Sequence, residues 1–311
     1  MTARLPQVFP HAGLPEHVTV YEVGARDGLQ NEKTTVPTEV KAEFIERLAN
    51  AGASVVEATS FVHPKWVPQL ADADVLFRLL EHRPGLRYPV LVPNLRGYER
   101  ALACGVREIA VFASATETFA QRNLNTTLDG ALADIEAVVT PAIERGLWVR
   151  GYVSMCFGDP WEGPVEPSAV ASVVERLLAF GCHEISLGDT IGTATPGHVR
   201  ALINLLADRG VDPARLAVHF HDTYGQALAN TFAALQAGIT TVDASAGGLG
   251  GCPYAESATG NLATEDLVWM LDGLGIDTGI DLPALVETSR WMADHLGRPA
   301  PSRAVQALTK G

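Results

Sequence analysis

Strand-like apolar runs and amphipathic helical stretches alternate eight times along this chain, with no low-complexity linker between them. The strand candidates are 18–23, 54–59, 88–92, 108–113, 148–154, 184–187, 216–221 and 241–245. Helical patterns lie between them at 39–51, 67–80, 95–104, 128–145, 167–180, 196–208 and 224–237, and 263–271 follows the last strand. Glycine stands just past several of these helices, at Gly52, Gly105, Gly146, Gly181 and Gly238, where a helix commonly ends in a left-handed residue. Pro167 and Pro196 occupy helix-entry positions that tolerate proline. An uninterrupted β-α series of this length predicts a closed (β/α)8 TIM barrel. A doubly wound open sheet is the alternative; it has about five or six strands and often a glycine-rich phosphate loop after the first, and this chain matches neither. The expectation is one catalytic domain over 1–311, with the barrel at about 18–279. An extra C-terminal helix is expected at 281–296, and the tail 297–311 is irregular or packs on a neighbour.

With 47% hydrophobic and 19% charged residues, the chain can bury a large core, and no apolar run approaches a membrane span. The first seventeen residues hold Pro6, Pro10 and Pro15 and no apolar signal core, so a cytoplasmic protein is expected. A net charge of −13 argues against nucleic acid as a partner but leaves room for an anionic small ligand in a local basic or metal-bearing pocket. Cys104, Cys156, Cys182 and Cys252 are far apart and lack zinc-ribbon spacing, which suits reduced thiols.

In a barrel of this class chemistry sits at the C-terminal ends of the strands. Those ends here carry Glu22, Arg26, Asp27 and Gln30; Glu57, Thr59 and Ser60; Asn94; Ser114 and Thr116; Arg150, Tyr152 and Ser154; Ser186, Asp189 and Thr190; His219, His221 and Asp222; and Asp243 and Ser245. Any one Ser or Thr is most simply structural. Polar groups at nearly every strand end of an apolar barrel are harder to assign to packing, because burying them costs free energy unless they are paired.

His219 and His221 are two apart on a strand, so their imidazoles share a face. Hydrogen-bonded core histidines would also fit. With Asp27 after the first strand they form a two-histidine, one-carboxylate set suited to a divalent cation, with Asn261 a further oxygen donor. Such ligands admit Mg²⁺, Mn²⁺, Co²⁺ or Zn²⁺. Arg26 is either a surface ion-pair partner or a fixed positive charge for a developing oxyanion. Cys252 lies in the glycine-dense run 247–253, a loop able to close over a site, where a thiol can deliver a proton.

Taken together, Gly24-Ala25-Arg26-Asp27-Gly28-Leu29-Gln30, Glu57-Ala58-Thr59-Ser60-Phe61, Arg150-Gly151-Tyr152, Ser186-Leu187-Gly188-Asp189-Thr190, His219-Phe220-His221-Asp222, Gly250-Gly251-Cys252-Pro253-Tyr254 and Gly260-Asn261-Leu262-Ala263 closely resemble the 3-hydroxy-3-methylglutaryl-CoA (HMG-CoA) lyase family. The resemblance runs over about 18–279. It implies a barrel that splits HMG-CoA into acetyl-CoA and acetoacetate, in leucine breakdown or ketone-body formation, with Mg²⁺ or Mn²⁺ as cofactor. It implies Asp27, His219, His221 and Asn261 as metal ligands, Arg26 at the substrate carbonyl and Cys252 in proton transfer, with Glu57 and Asp189 at positions that matter for the site. The base for the substrate hydroxyl is left among Asp27, Asp189 and His219. Gln30, Lys33, Ser60, Asn94 and Tyr152 are further candidates for contact with the acyl-CoA, and a homodimer is the expected assembly.

The related condensing synthases usually carry a Gly-Glu-Arg signature where this chain has Gly251-Cys252-Pro253, and biotin-dependent carboxyltransferases carry a metal-binding lysine near the sixth strand, where this chain has none. The loop 155–163 is poorer in cysteine than in many lyases, which leaves a longer 3-hydroxy-3-alkylglutaryl-CoA as the alternative substrate.

Overall fold

The computed structural model describes residues 5–251 and 260–309. Its strands are β1 (Thr19–Glu22), β2 in two pieces (Val55–Val56 and Thr59–Ser60), β3 (Val90–Leu91), β4 (Glu108–Ser114), β5 (Trp148–Ser154), β6 (Glu184–Asp189), β7 (Leu216–Phe220) and β8 (Thr241–Ala244). Every neighbouring pair of these strands is parallel. The interruption in β2 does not open the sheet. Its first piece pairs with β1, Tyr21 opposite Val55, and its second with β3, Thr59 opposite Val90. Between them the Glu57 amide donates to the Glu22 carbonyl at 2.8 Å, and the Ala58 amide to the Pro89 carbonyl at 2.9 Å. Both edges of β2 are therefore satisfied and the ring closes into a TIM-type (β/α)8 barrel.

Helices α1 (Thr38–Asn50), α2 (Ala73–Leu79), α3 (Leu95–Ala103), α4 (Leu128–Glu144), α5 (Pro167–Phe180), α6 (Pro196–Asp208), α7 (Ala227–Gln236) and α8 (Thr264–Leu274) follow the strands in turn. The helical pattern at 67–80 yields α2 only from Ala73, because Pro68 opens a separate short turn, Pro68–Leu70. Among the described residues no helix is long and apolar enough to cross a membrane.

Strand alternation divides the side chains into two populations. Val149, Val153, Ile185, Leu187, Val218, Phe220, Val242 and Ala244 point outward into the main apolar core beneath the helices. The opposite parity turns Arg150, Tyr152, Ser186, His219 and Asp243 into the barrel, where all five are buried. The interior is thus lined by charged and hydroxyl side chains, and this polar lining forms the floor of the site.

Two helices follow the barrel. Helix α9 (Leu282–Leu296) starts where the sequence pattern places it, with the Asp281 carboxylate accepting the Ala284 amide at 3.0 Å. The tail differs from expectation: Arg303–Leu308 forms a short helix, α10. The Ser302 hydroxyl caps it by accepting the Val305 amide at 3.2 Å. Asp266 of α8 accepts the Ser302 hydroxyl at 2.8 Å and the Ala304 amide at 2.7 Å. A helix this short is marginal by itself, and its docking partner lies 36 residues back, outside any local pattern.

Candidate active site

The first functional pair comes from a wide helical turn directly after β1, Gly24–Gly28, in which the Gly28 amide reaches back five residues to the Val23 carbonyl at 3.1 Å. Turns of this kind cluster at functional sites. This one presents Arg26 and Asp27 side by side. Arg26 is buried, with Nε and Nη2 both 2.7 Å from Glu57 Oε2 and Nη1 2.6 Å from Asp27 Oδ1. Its guanidinium lies 5.5 Å from the centre of the Tyr152 ring. Glu57 is fully buried; burial raises its pKa, and the charge of Arg26 opposes that only in part.

One donor atom from each of Asp27, His219 and His221 lies within 4.8 Å of the others. His219 Nδ1 is 3.1 Å from Asp243 Oδ2, and its Nε2 is 3.9 Å from Asp27 Oδ2. A carboxylate can only accept, so Nδ1 carries the proton and Nε2 turns its lone pair toward Asp27. Burial pushes Asp27 up, but Arg26, His219 and His221 outweigh it and hold the carboxyl at about 2. Burial also works against ionised Asp243, and Arg150 and His219 bring it below its usual range.

Asn261 arrives from the chain that follows the glycine-rich loop. It pairs antiparallel with His221, the Leu262 amide donating to the Phe220 carbonyl at 2.9 Å. Asn261 Nδ2 donates to Asp27 Oδ2 at 2.8 Å and to the Leu249 carbonyl at 3.1 Å. Its Oδ1 is buried and has no hydrogen-bond partner. This approach requires Gly250 in the left-handed region (φ 115°), where a Cβ would lie 2.5 Å from Asn261 Nδ2. Two imidazoles, an ionised carboxylate and an orphaned amide oxygen fit a divalent cation.

Asp189, at the end of β6, accepts the Thr193 amide at 2.9 Å and the Ala194 amide at 3.0 Å. Burial raises its pKa to about 6, against the pull of those amides and of His219. Other predicted residues stand apart. The Ser60 hydroxyl accepts the Val62 amide at 3.2 Å, and Asn94 caps α3 by accepting the Gly97 amide at 3.0 Å. Gln30 is half-buried and Lys33 is exposed on the segment after the Arg26 turn. Cys252 lies outside the described residues.

A family model described as HMGL-like matches residues 17–292. The chain belongs to the HMG-CoA lyase family. The mitochondrial hydroxymethylglutaryl-CoA lyase of Arabidopsis thaliana is 54% identical over 299 residues, covering 96% of this chain; the chain spans 64% of that relative's length. The solved hydroxymethylglutaryl-CoA lyase of Pseudomonas aeruginosa superposes with a TM-score of 0.93 at 48% identity, covering 95% of this chain and 98% of its own. An HMG-CoA lyase of Acinetobacter baumannii, solved in complex with coenzyme A and 3-methylmalate, has a TM-score of 0.90 at 38% identity, covering 96% of this chain and 97% of its own. Curated relatives carry both mitochondrial and cytoplasmic names. Arg150 and Ser186 lie inside the family motifs and Asp243 outside them, and the sequence reading gives none of the three a role. Their inward parity was the available signal, since a charged residue in mid-strand cannot face the apolar helix layer.

Proposed function

We propose that this protein cleaves HMG-CoA to acetyl-CoA and acetoacetate at the site formed by Arg26, Asp27, His219, His221 and Asn261. The observation that carries the reading is the meeting of the Arg26 guanidinium with a cation-competent donor cluster at the C-terminal mouth of a barrel whose whole length matches lyases of this name. Asp27 Oδ, His219 Nε2, a ring nitrogen of His221 and Asn261 Oδ1 would hold Mg²⁺ or Mn²⁺. Such an ion polarises the substrate hydroxyl and adjacent carboxylate and fixes their geometry.

A base takes the hydroxyl proton. Of Asp27, Asp189 and His219, Asp189 is favoured: burial raises its carboxyl to about 6, whereas Asp27 is held at about 2 and His219 commits Nδ1 to Asp243 and turns Nε2 to the donor cluster. The C2–C3 bond breaks, the hydroxyl carbon becomes the ketone of acetoacetate, and the bond electrons pass to the acetyl-CoA enolate. Arg26, locked on Glu57 and Asp27, stabilises the enolate oxygen. Cys252 delivers the proton that completes the acetyl methyl group. Gln30, Ser60 and Tyr152 would line the acyl end, with Lys33 and Asn94 toward the CoA arm. A cytoplasmic homodimer completes the reading.

Acetoacetate release from HMG-CoA by metal-stripped protein, with and without Mg²⁺ or Mn²⁺, tests it. Fast release that depends on added metal is expected. No release with either metal, alongside turnover of a longer 3-hydroxy-3-alkylglutaryl-CoA, would move the substrate.

A further inference from the structure

The most deeply buried cation in the barrel belongs to no motif of metal ligation or proton transfer. Arg150 stands in the middle of β5, points inward and has no exposed surface. Its Nη2 donates to Asp243 Oδ1 at 2.6 Å, its Nη1 donates to the Tyr152 hydroxyl at 3.1 Å, and its Nε is 2.9 Å from Glu184 Oε1. Its guanidinium lies over the Tyr21 ring, 3.8 Å from the centroid.

Two of these contacts lead upward into the site by separate routes. On the first, the other oxygen of Asp243 accepts from His219 Nδ1 at 3.1 Å and from the Ser186 hydroxyl at 3.0 Å. On the second, the Tyr152 hydroxyl lies 3.1 Å from Glu57 Oε2, the same oxygen that receives Nε and Nη2 of Arg26. A guanidinium can only donate. The Tyr152 hydroxyl therefore accepts from Arg150 and sends its own proton to Glu57. Asp243, held ionised by Arg150, must take the proton of His219 Nδ1. One cation thus sets the direction of both hydrogen-bond chains.

We propose that Arg150 is a positioning residue that locks the two arms of the site at once: the metal-facing tautomer of His219 through Asp243, and the orientation of Arg26 through Tyr152 and Glu57. The second arm rests on the function proposed above; the first rests only on the donor cluster. The planar fork is needed for this. A lysine ammonium keeps the charge but cannot hold two acceptors at the fixed separation of Asp243 and Tyr152.

The test uses the full chain with Mn²⁺ alone as the first probe, followed by paramagnetic resonance, and HMG-CoA cleavage at saturating Mn²⁺ as the second. Arg150→Lys should weaken Mn²⁺ binding about 10-fold or more, as loss of an orienting partner behind a ligand does. With Mn²⁺ saturating, its kcat should stay depressed about 10-fold while KM moves little, because Arg26 is also loosened. Tyr152→Phe cuts only the second arm, so it should lower kcat and leave Mn²⁺ affinity within about 2-fold. Asp243→Asn should do the reverse and weaken Mn²⁺ most.

Folded Arg150→Lys with wild-type Mn²⁺ affinity overturns the His219 arm. Full recovery of its kcat at saturating Mn²⁺ overturns the Arg26 arm. Should Arg150→Lys not fold, Tyr152→Phe and Asp243→Asn decide: equal effects of the two on Mn²⁺ binding refute two separate routes. Wild-type protein that binds Mn²⁺ without cleaving HMG-CoA refutes the proposed reaction and with it the Arg26 arm, while the Mn²⁺ titrations still decide the His219 arm.

Discussion

Two sets of buried carboxylates sit close to this site, and burial acts on both in the same sense. At the barrel axis, Asp243 meets Arg150 and His219 and stays below its usual pKa. At the root of the loop after β8, Glu22 and Glu265 meet only amides and hydroxyls. Glu22 accepts the amides of Gly24 at 2.7 Å and Ala246 at 2.9 Å and the Thr264 hydroxyl at 2.6 Å. Glu265 accepts the Gly247 amide at 2.9 Å and the Ser289 hydroxyl of α9. Burial, only partly offset by these neutral donors, raises both to about 7. All three carboxylates are essentially inaccessible to water. A counter-ion, and not depth, decides which of them keeps its charge. Asp243 and Arg150 therefore form a charged pair at the axis, and the loop root changes charge near neutrality.

Breaking the charged pair should have the largest effect. Asp243→Ala leaves Arg150 without its shortest partner and His219 without its acceptor. A loss of about 3–5 kcal/mol is expected in urea denaturation of metal-free protein. A denaturation midpoint close to wild type would mean that Arg150 finds enough compensation in Glu184 and Tyr152, and the axis would no longer count as a paired network.

The loop root should show itself in the pH dependence. Glu22 and Glu265 have folded values of about 7 against 4.5 for the ordinary group, so the folded protein binds more protons between those limits. Their contribution is fully present below 4.5 and is lost as pH rises through 7, on the order of 3 kcal/mol per group. The melting temperature of metal-free protein should therefore drift down from pH 5 to 8. Glu265→Gln, which keeps an acceptor for Gly247, should flatten that drift, to which Asp189, raised to about 6, also contributes; an unaltered slope would remove Glu265 from it. Asp27, held at about 2, acts in the opposite sense and in a separate window. Its contribution is present above 3.8 and lost as pH falls toward 2, so the two regions can be read in one titration.

The smallest effect is expected where a counter-ion exists without burial. Arg290 and Glu287 on α9 pair at 3.2 Å with both side chains more than half exposed. Glu287→Gln should shift the chemical denaturation midpoint by the equivalent of no more than about 0.5 kcal/mol. A larger loss would show that pairing stabilises this molecule irrespective of depth.

Much of the molecule can be read from the chain alone. Each strand candidate reappears within a few residues, because apolar runs bounded by glycine and capped helices are local signals. His219 and His221 were legible as a pair by strand parity, and Asp27 by its place after the first strand. Asn261 could be read only as one further oxygen donor beyond the eighth strand, and the family resemblance made it a ligand, since it reaches the site by pairing with His221 across the glycine-rich loop. The tail helix was missed because its cap partner, Asp266, belongs to another element.

The sequence by itself determined the repeat of strand and helix, the strand ends where chemistry gathers, and which face of each strand carries charge, all properties of spacing within about ten residues. Only the tertiary structure decided which charges meet. Arg150 finds Asp243 across 93 residues, and Glu22 finds Thr264 across 242. Parity tells a side chain which way to face, but closure of the ring and its register set what stands opposite, and in a buried interior that partner decides whether a group is charged.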